Sequence, residues 1–469
     1  MSPLNTLLNS VHHTLELKDN RVSVKDERHL LEHTDDLINA AVFGDAETKA
    51  VARWLIWETA QALGIRPASI HDLYLARGRG EVNTTFTVPA INIRMLAYDT
   101  ARAALRAARK LNISAMIFEI ARSEIGYTDQ RPGEYVAVLL AAAIKEGHRG
   151  PLFIQGDHFQ INAKKYAADP IAELKAVKDL IAEAVPAGFL NIDIDTSTLV
   201  DLSKPTTAEQ QRSNFELCAQ LTQFVRSKEP QGVTISIGGE IGEVGGKNSN
   251  EEEMRAFMEG YNQSLSGSIG MSKISIQTGT SHGGVVMADG KLADIAIDFD
   301  VLKRLSQLAR EAYHMGGAVQ HGSSTLPQNA FSKFLDCAAV EVHLATAFQT
   351  LVFEHKAIPN DLRQRMIEWV KTNAADERKA TDSDEQFIYK SRKKAIGPFK
   401  HDLWSLPVEA RNAICADLED RFAFLFKQLN VVDTQSIVEK FVHPIEWHQP
   451  LPTGALQAIE QESIEGLAD

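Results

Sequence analysis

Three histidines stand in the same setting. The run Leu152-Phe153-Ile154-Gln155 leads into Gly156-Asp157-His158, Lys273-Ile274-Ser275-Ile276-Gln277 into Thr278-Gly279-Thr280-Ser281-His282-Gly283, and Gly317-Ala318-Val319-Gln320 into His321-Gly322-Ser323-Ser324. Each run is short and strand-like, as expected of strands in a parallel sheet. A lone Asp-His pair after a strand is ordinarily a helix cap or a satisfied polar contact. Three neutral imidazoles delivered to one end of a parallel barrel are instead an open metal site with room for a substrate. Asp157, beside one of them, is placed for general acid/base work.

Delivering them to one end requires a repeating strand-helix unit, and eight such units can be counted. The strands are expected at 86–93, 115–120, 152–155, 190–195, 233–237, 273–277, 317–320 and 339–344. The helices are expected at 98–111, 134–146, 171–184, 208–228, 250–265, 299–314, 329–335 and 346–355. Strands alternating with helices of this length predict a (β/α)8 TIM barrel over residues 81–360. Residues 1–80 read as an N-terminal helical extension, with Trp54 and Trp57 on one helix face for packing. Residues 361–469 read as a charged C-terminal helical extension, with an acidic, Pro/Gly-punctuated tail from Leu451 expected to be poorly ordered. The basic run Tyr389-Lys390-Ser391-Arg392-Lys393-Lys394 is either a solvated helix face or a phosphate site.

Composition narrows the partners. A net charge of −13 argues against a nucleic-acid or anionic-membrane binder. The three cysteines Cys218, Cys337 and Cys415 have no metal or disulfide spacing, which fits a reducing, cytoplasmic compartment. No secretory signal pattern and no apolar run long enough to span a bilayer is found.

Catalytic groups of such barrels gather at the C-terminal strand ends. Those positions hold Asp157 and His158; Asp193, Asp195, Thr196 and Ser197; Gly238, Gly239, Glu240 and Glu243; His282 and Gly283; His321, Gly322, Ser323 and Ser324; His343 and Thr346. Asp195 and Glu240 suit either an alternative metal position or the orientation of a ligand. Glycine-flanked histidines allow close approach to an anion.

In chain order these stretches resemble the class II, zinc-dependent ketose-bisphosphate aldolases, which include the fructose- and tagatose-bisphosphate enzymes. The matching segments are Gly156-Asp157-His158, Asp195-Thr196-Ser197, Glu240-Ile241-Gly242 with Gly245-Gly246, Thr278 to Gly283, His321 to Ser324, and His343-Leu344-Ala345-Thr346. The resemblance implies that His158, His282 and His321 bind Zn²⁺ or another divalent metal, and it admits a monovalent cation. It makes Asp157 the acid/base on the aldol hydroxyl. Gly283, Gly322, Ser323, Ser324 and Thr346 would hold the phosphate of dihydroxyacetone phosphate. It also implies a homodimer or homotetramer acting on a sugar phosphate.

The chain departs from the family where the substrate lies. His343 stands where Asn is usual, Glu341 where Lys is usual, and Ala121 where a phosphate-binding Ser is frequent; Arg122 and Arg392 are the candidates to hold the second phosphate. The Gly-Gly-Glu that would supply the carbon-proton carrier is Gly245-Gly246-Lys247 here, leaving Glu243, Glu251 and Glu252 as candidates. The expected activity is reversible cleavage of fructose 1,6-bisphosphate. Alternatives are a tagatose-bisphosphate or ketose-1-phosphate aldolase, a non-catalytic support subunit, and a metal-dependent hydrolase.

Overall fold

The strand-like runs pair in chain order, and that order closes them. The computed structural model describes residues 2–19, 21–242, 247–279, 297–323 and 326–452. An antiparallel pair, β1 (Leu15–Lys18) and β2 (Arg21–Val24), comes first. Nine parallel strands follow: β3 (Ile65–Ala68), β4 (Val88–Asn92), β5 (Ile117–Ala121), β6 (Gly150–Gln160), β7 (Asn191–Asp195), β8 (Ser236–Glu240), β9 (Lys273–Ile276), β10 (Ala318–Gln320) and β11 (Glu341–Leu344). β4 to β11 pair successively, and β11 pairs back onto β4, giving the (β/α)8 barrel. The outer helices lie close to where hydrophobic periodicity puts them, among them Ala97–Lys110, Thr207–Arg226 and Phe299–Tyr313. Local chemistry sets their ends. Thr206 and Glu209 form a reciprocal cap at the start of Thr207–Arg226, and Gly188 ends Pro170–Ala187 at φ +116°, a conformation that favours glycine.

Three differences from the sequence reading bear on the site. β8 runs over 236–240 rather than 233–237, so Gly238 is inside the strand. A Cβ there would lie 2.3 Å from Asp193 Oδ1, so the missing side chain is the slot through which Asp193 enters the barrel. β6 continues past Gln155 to Gln160 and carries a bulge between Gly156 and Phe159 against β7. The N-terminal segment is not wholly helical: β3 pairs with Gly150–Phe153 of β6 as an added edge strand, where Pro67 is tolerated. Asn191 splices this edge to the barrel, its Nδ2 donating to the carbonyls of Ala68 and Ile154.

The extensions close the barrel from outside. Helix His71–Gly78 sits against the N-terminal side of the barrel, with Arg77 donating to the carbonyls of Phe86, Ala338 and Ala339. Trp54 and Trp57 are buried, and their indole N–H groups hold the carbonyls of Gln449 and Trp447. Helix Val408–Gln428 packs on Ala97–Lys110, where Glu419 accepts from Arg106 and Lys110. The tail beyond residue 452 lies outside the described residues. Among the described residues no helix is long and apolar enough to cross a membrane.

Candidate active site

Residues two apart on a strand face the same way, so the barrel interior is built in layers. Gln155 and Asp157, Asp193 and Asp195, Lys273 and Ser275, and Glu341 and His343 are four such pairs, all buried. The first member of each joins a lower layer and the second an upper one. Barrel interiors of this kind are normally filled by branched apolar side chains; these two layers are largely polar, with Ala121 and Gly238 among the exceptions.

The upper layer centres on His158. Its φ of +40° falls in the left-handed region, unusual for a non-glycine residue, and the bulge in β6 lets both Asp157 and His158 reach the interior. Its Nδ1 lies 3.1 Å from Asp195 Oδ2 and 3.4 Å from Glu240 Oε2, while its Nε2 lies 3.1 Å from His321 Nδ1. Nε2 of His321 lies 2.9 Å from Ser275 Oγ. Asp195 is itself held, Oδ1 by the backbone N–H and hydroxyl of Ser197 and Oδ2 by the Gln160 amide. Each imidazole thus turns one nitrogen to its neighbour and has the other fixed by an oxygen, which is how metal-binding histidines are oriented.

The electrostatics also call for a cation. Burial disfavours charge on His158, yet the carboxylates of Asp157, Glu240 and Asp195 lift its pKa to about 10. Burial and the nearby Asp195 push the Glu240 carboxyl well above its ordinary range. Two protonatable nitrogens amid three buried carboxylates are a donor set that a divalent ion fits, because it displaces protons from such ligands. Among the described residues three buried groups have metal-ligand spacing: His158 with Asp157 and His321, and His158 with Asp195 and Glu240, in the upper layer, and Glu119, Asp193, Glu341 and His343, of which Lys273 already occupies the lower-layer carboxylates. The third expected ligand, His282, lies outside the described residues, as do Glu243, Gly283 and Ser324.

Asp157 has both oxygens engaged. Asn92 Nδ2 donates to Oδ2 at 2.9 Å, and His343 Nδ1 is 3.2 Å from Oδ1, with His158 Nε2 at 3.7 Å. Burial opposes its ionisation, but the imidazoles of His158 and His343 hold its carboxyl well below the usual carboxylate range. These contacts favour its ionised form.

The lower layer is an ion network around Lys273. Its Nζ donates to Gln155 Oε1 at 2.7 Å, to Asp193 and to Glu341. Glu341 also accepts from Tyr74, 2.6 Å, and from Gln155, and lies 2.7 Å from His343 Nε2. Against burial, Lys273 and His343 bring the Glu341 carboxyl down to about 2. Glu119, which accepts from Gln155, is pushed well above its ordinary range by burial. His343 joins the layers, touching Asp157 above and Glu341 below.

Other expected residues stand elsewhere. Arg122 is not available to a phosphate: its guanidinium is buried against Glu173, with 2.5 Å and 3.3 Å contacts, and donates to the Gln160 carbonyl. Arg392 is held by Glu354 and Thr350 and stacked between Phe353 and Tyr389. Glu251 is half-exposed in the first turn of helix Glu251–Ser264, 4.0 Å from Arg304, and Glu252 bonds Thr207. Gly322 has a φ of +68° and Ser323 is buried beside it, donating to the His321 carbonyl. Thr346 is buried at the first position of helix Thr346–Glu354.

The sequence reading does not place Asn92, Glu119, Gln155, Gln160, Lys273 and Ser275 in this site. Their signal was a polar side chain at alternate positions of strands that otherwise read as apolar, the sign of an inward polar face. Two further cations lie close to Asn92 and Glu124. Arg94 bonds Glu124, 2.5 Å, and Glu124 shares the Asn92 amide with Asp157. Lys393 Nζ lies 5.5 Å from the Tyr127 ring centroid, and removal from water together with the Arg94 guanidinium pushes its pKa down to about 7.

With this geometry in place, comparison with known proteins places the chain. Residues 82–402 match the family described as fructose-bisphosphate aldolase class-II. No curated protein sequence matches. Among solved structures, a fructuronate-tagaturonate epimerase from Cohnella laeviribosi is similar at a TM-score of 0.53 and 11% identity, over 90% of each chain. A probable tagatose 6 phosphate kinase from Sinorhizobium meliloti 1021 is similar at 0.52 and 15% identity, covering 76% of this chain and 99% of that one. A fructose-bisphosphate aldolase from Campylobacter jejuni is similar at 0.44 and 18% identity, covering 78% and 94%.

Proposed function

The chain belongs to the class-II fructose-bisphosphate aldolase family, and from that premise we propose that it is a metal-dependent carbon–carbon lyase. Its leading substrate is fructose 1,6-bisphosphate, cleaved reversibly to dihydroxyacetone phosphate and glyceraldehyde 3-phosphate. The observation that supports this best is the pair of imidazole nitrogens, His158 Nε2 and His321 Nδ1, facing each other at 3.1 Å while Asp195 and Ser275 engage their opposite nitrogens. A divalent cation held by these histidines would polarise the ketone and stabilise the negative charge left on the ketose fragment.

The chain's own groups account for the proton on oxygen. In cleavage, Asp157 takes the proton of the hydroxyl on the carbon that becomes the aldehyde. The carbon–carbon bond then breaks, and its electron pair stays with the ketone fragment. In synthesis Asp157 returns the proton. Asn92 and His343 hold its two oxygens and keep it aimed. The proton delivered to carbon falls to a residue after β8, and Glu243 is the candidate that Glu251, turned outward toward Arg304, leaves.

The test is release of triose phosphate from fructose 1,6-bisphosphate, tagatose 1,6-bisphosphate and fructose 1-phosphate, with and without a chelator. Chelator-sensitive release is expected from at least one, and the preferred sugar names the substrate. Asp157→Asn should keep metal binding and lose roughly 10²- to 10⁴-fold in turnover. Protein that binds metal yet cleaves none of the three would overturn the lyase reading and favour a support subunit.

A further inference from the structure

On the N-terminal extension, outside the barrel's interior, a second group of histidines converges. We propose that His12, His29 and His33, together with Glu32, form a surface site for a divalent transition-metal ion of the zinc, nickel or copper class. His29 and His33 are four residues apart on helix Glu27–Phe43, so their side chains share one face. Donor atoms of His29, Glu32 and His33 lie within 4.8 Å of one another. His12 comes from the turn after helix Pro3–Ser10, and its ring centroid lies 4.2 Å from that of His33 and 5.4 Å from that of His29; the remaining pair is 4.8 Å apart. With metal–nitrogen bonds of about 2.0–2.1 Å, three imidazoles around a tetrahedral ion have ring centroids about 5 Å apart. The three observed separations bracket that value.

The backbone points the same way. His12 and His13 both have positive φ, +52° and +57°, a left-handed pair unusual for non-glycine residues. This turn is what carries the His12 ring across to the helix. His33 Nδ1 lies 3.5 Å from Asp36 Oδ2, a carboxylate placed to orient the ring as around bound metals. Glu32 Oε2, 3.3 Å from His29 Nδ1, is the third donor on the helix, and the His12 ring beside them would turn a nitrogen inward as the fourth. His29 is 43% exposed at its side chain and His33 24%, so an ion enters without any opening of the fold. Imidazole-rich donors select this class of metal over magnesium or calcium. Because the ligands come from two separate elements, the ion would clamp the N-terminal turn onto the helix and stabilise the folded chain by mass action.

The site lies outside the residues that match the aldolase family, and its test is independent of the barrel's chemistry. Untagged full-length protein carrying His158→Ala and His321→Ala is titrated with Zn²⁺ by calorimetry, and its thermal midpoint is followed. One zinc per chain and a raised midpoint are expected. Adding His12→Ala and His33→Ala should abolish both. His12→Ala alone should weaken binding by at least about tenfold, because two helix histidines remain without the third. Should the barrel variant fail to fold, the same subtraction is made in the otherwise native chain, where His12→Ala/His33→Ala should remove one zinc and leave sugar cleavage unchanged. Zinc stoichiometry unaffected by His12→Ala/His33→Ala, with an unchanged circular dichroism spectrum, would overturn the proposal.

Discussion

The two layers inside the barrel are made of the same kinds of side chain and are balanced differently. In the lower layer Lys273 meets Asp193 and Glu341 directly, so a fixed cation sits among the carboxylates. In the upper layer Asp157, Asp195 and Glu240 surround His158, and charge balance there depends on protons that a metal can replace. A permanent charge makes a support; an exchangeable one makes a site. The backbone differs in parallel. The lower members lie on regular strand, whereas His158 is held in the left-handed region on a bulge. Strain of that kind accumulates where function over-determines a position.

If this contrast is right, the layers should break differently. The largest effect is expected from His321→Ala, which removes one of two facing nitrogens: metal binding and cleavage should fall together by at least ~10³-fold, near the scale of several kcal/mol that a metal supplies. Chelator-sensitive cleavage near the native rate in that variant would end the assignment of the upper layer. Lys273→Met should do the reverse. It leaves Asp193 and Glu341 buried without their cation, which costs about 3–5 kcal/mol of stability, read as a lower denaturant midpoint. Replacing both carboxylates as well, with Asp193→Asn and Glu341→Gln, should recover much of the loss, because removing a whole buried ion set is far milder than removing one member. A stable Lys273→Met variant would show the lower layer to be dispensable.

The ease of reading these layers from sequence was unequal. His158, His321 and Asp157 were legible because each follows a strand-like run, and eight such runs fix which end they reach. Lys273 and Gln155 are hard to see because they lie inside strand runs whose apolar members carry the signal. Ser275 is hard to see for the same reason. A strand over 233–237 is three residues early at its start and stops short of Gly238 and Gly239; the Asp193 carboxylate and the Lys273 stem, which fill the space a Cβ at Gly238 would need, explain the glycine inside β8. Arg122 and Arg392 suggest phosphate binding by their charge near a strand end and within a basic run. Nothing local in sequence reveals that Glu173, fifty-one positions from Arg122, and Glu354 have already claimed them.

Within the upper layer, Asp195 and the cations at its rim give smaller effects. Asp195→Asn keeps the shape but weakens the acceptor at His158 Nδ1, and about 10- to 100-fold lower metal affinity is expected, with the maximal rate recovered at high metal. If Asp195 were itself an indispensable ligand, excess metal would not restore the rate.

The smallest effect should come from Lys393, and it tests which cation replaces the two misplaced arginines. Its pKa near 7 lies far below that of a free lysine, so it is charged below pH 7 and loses that charge as pH rises through 7. If it helps hold the phosphate at the aldehyde end, KM for a bisphosphate rises between pH 6 and 8 in the native protein. In Lys393→Gln, KM should be a few-fold higher at pH 6 and should change less over the same interval. A ketose 1-phosphate, which lacks that phosphate, should show neither difference. Equal changes for both substrates would remove Lys393 from the far-phosphate role and confine its influence to the packing against Tyr127.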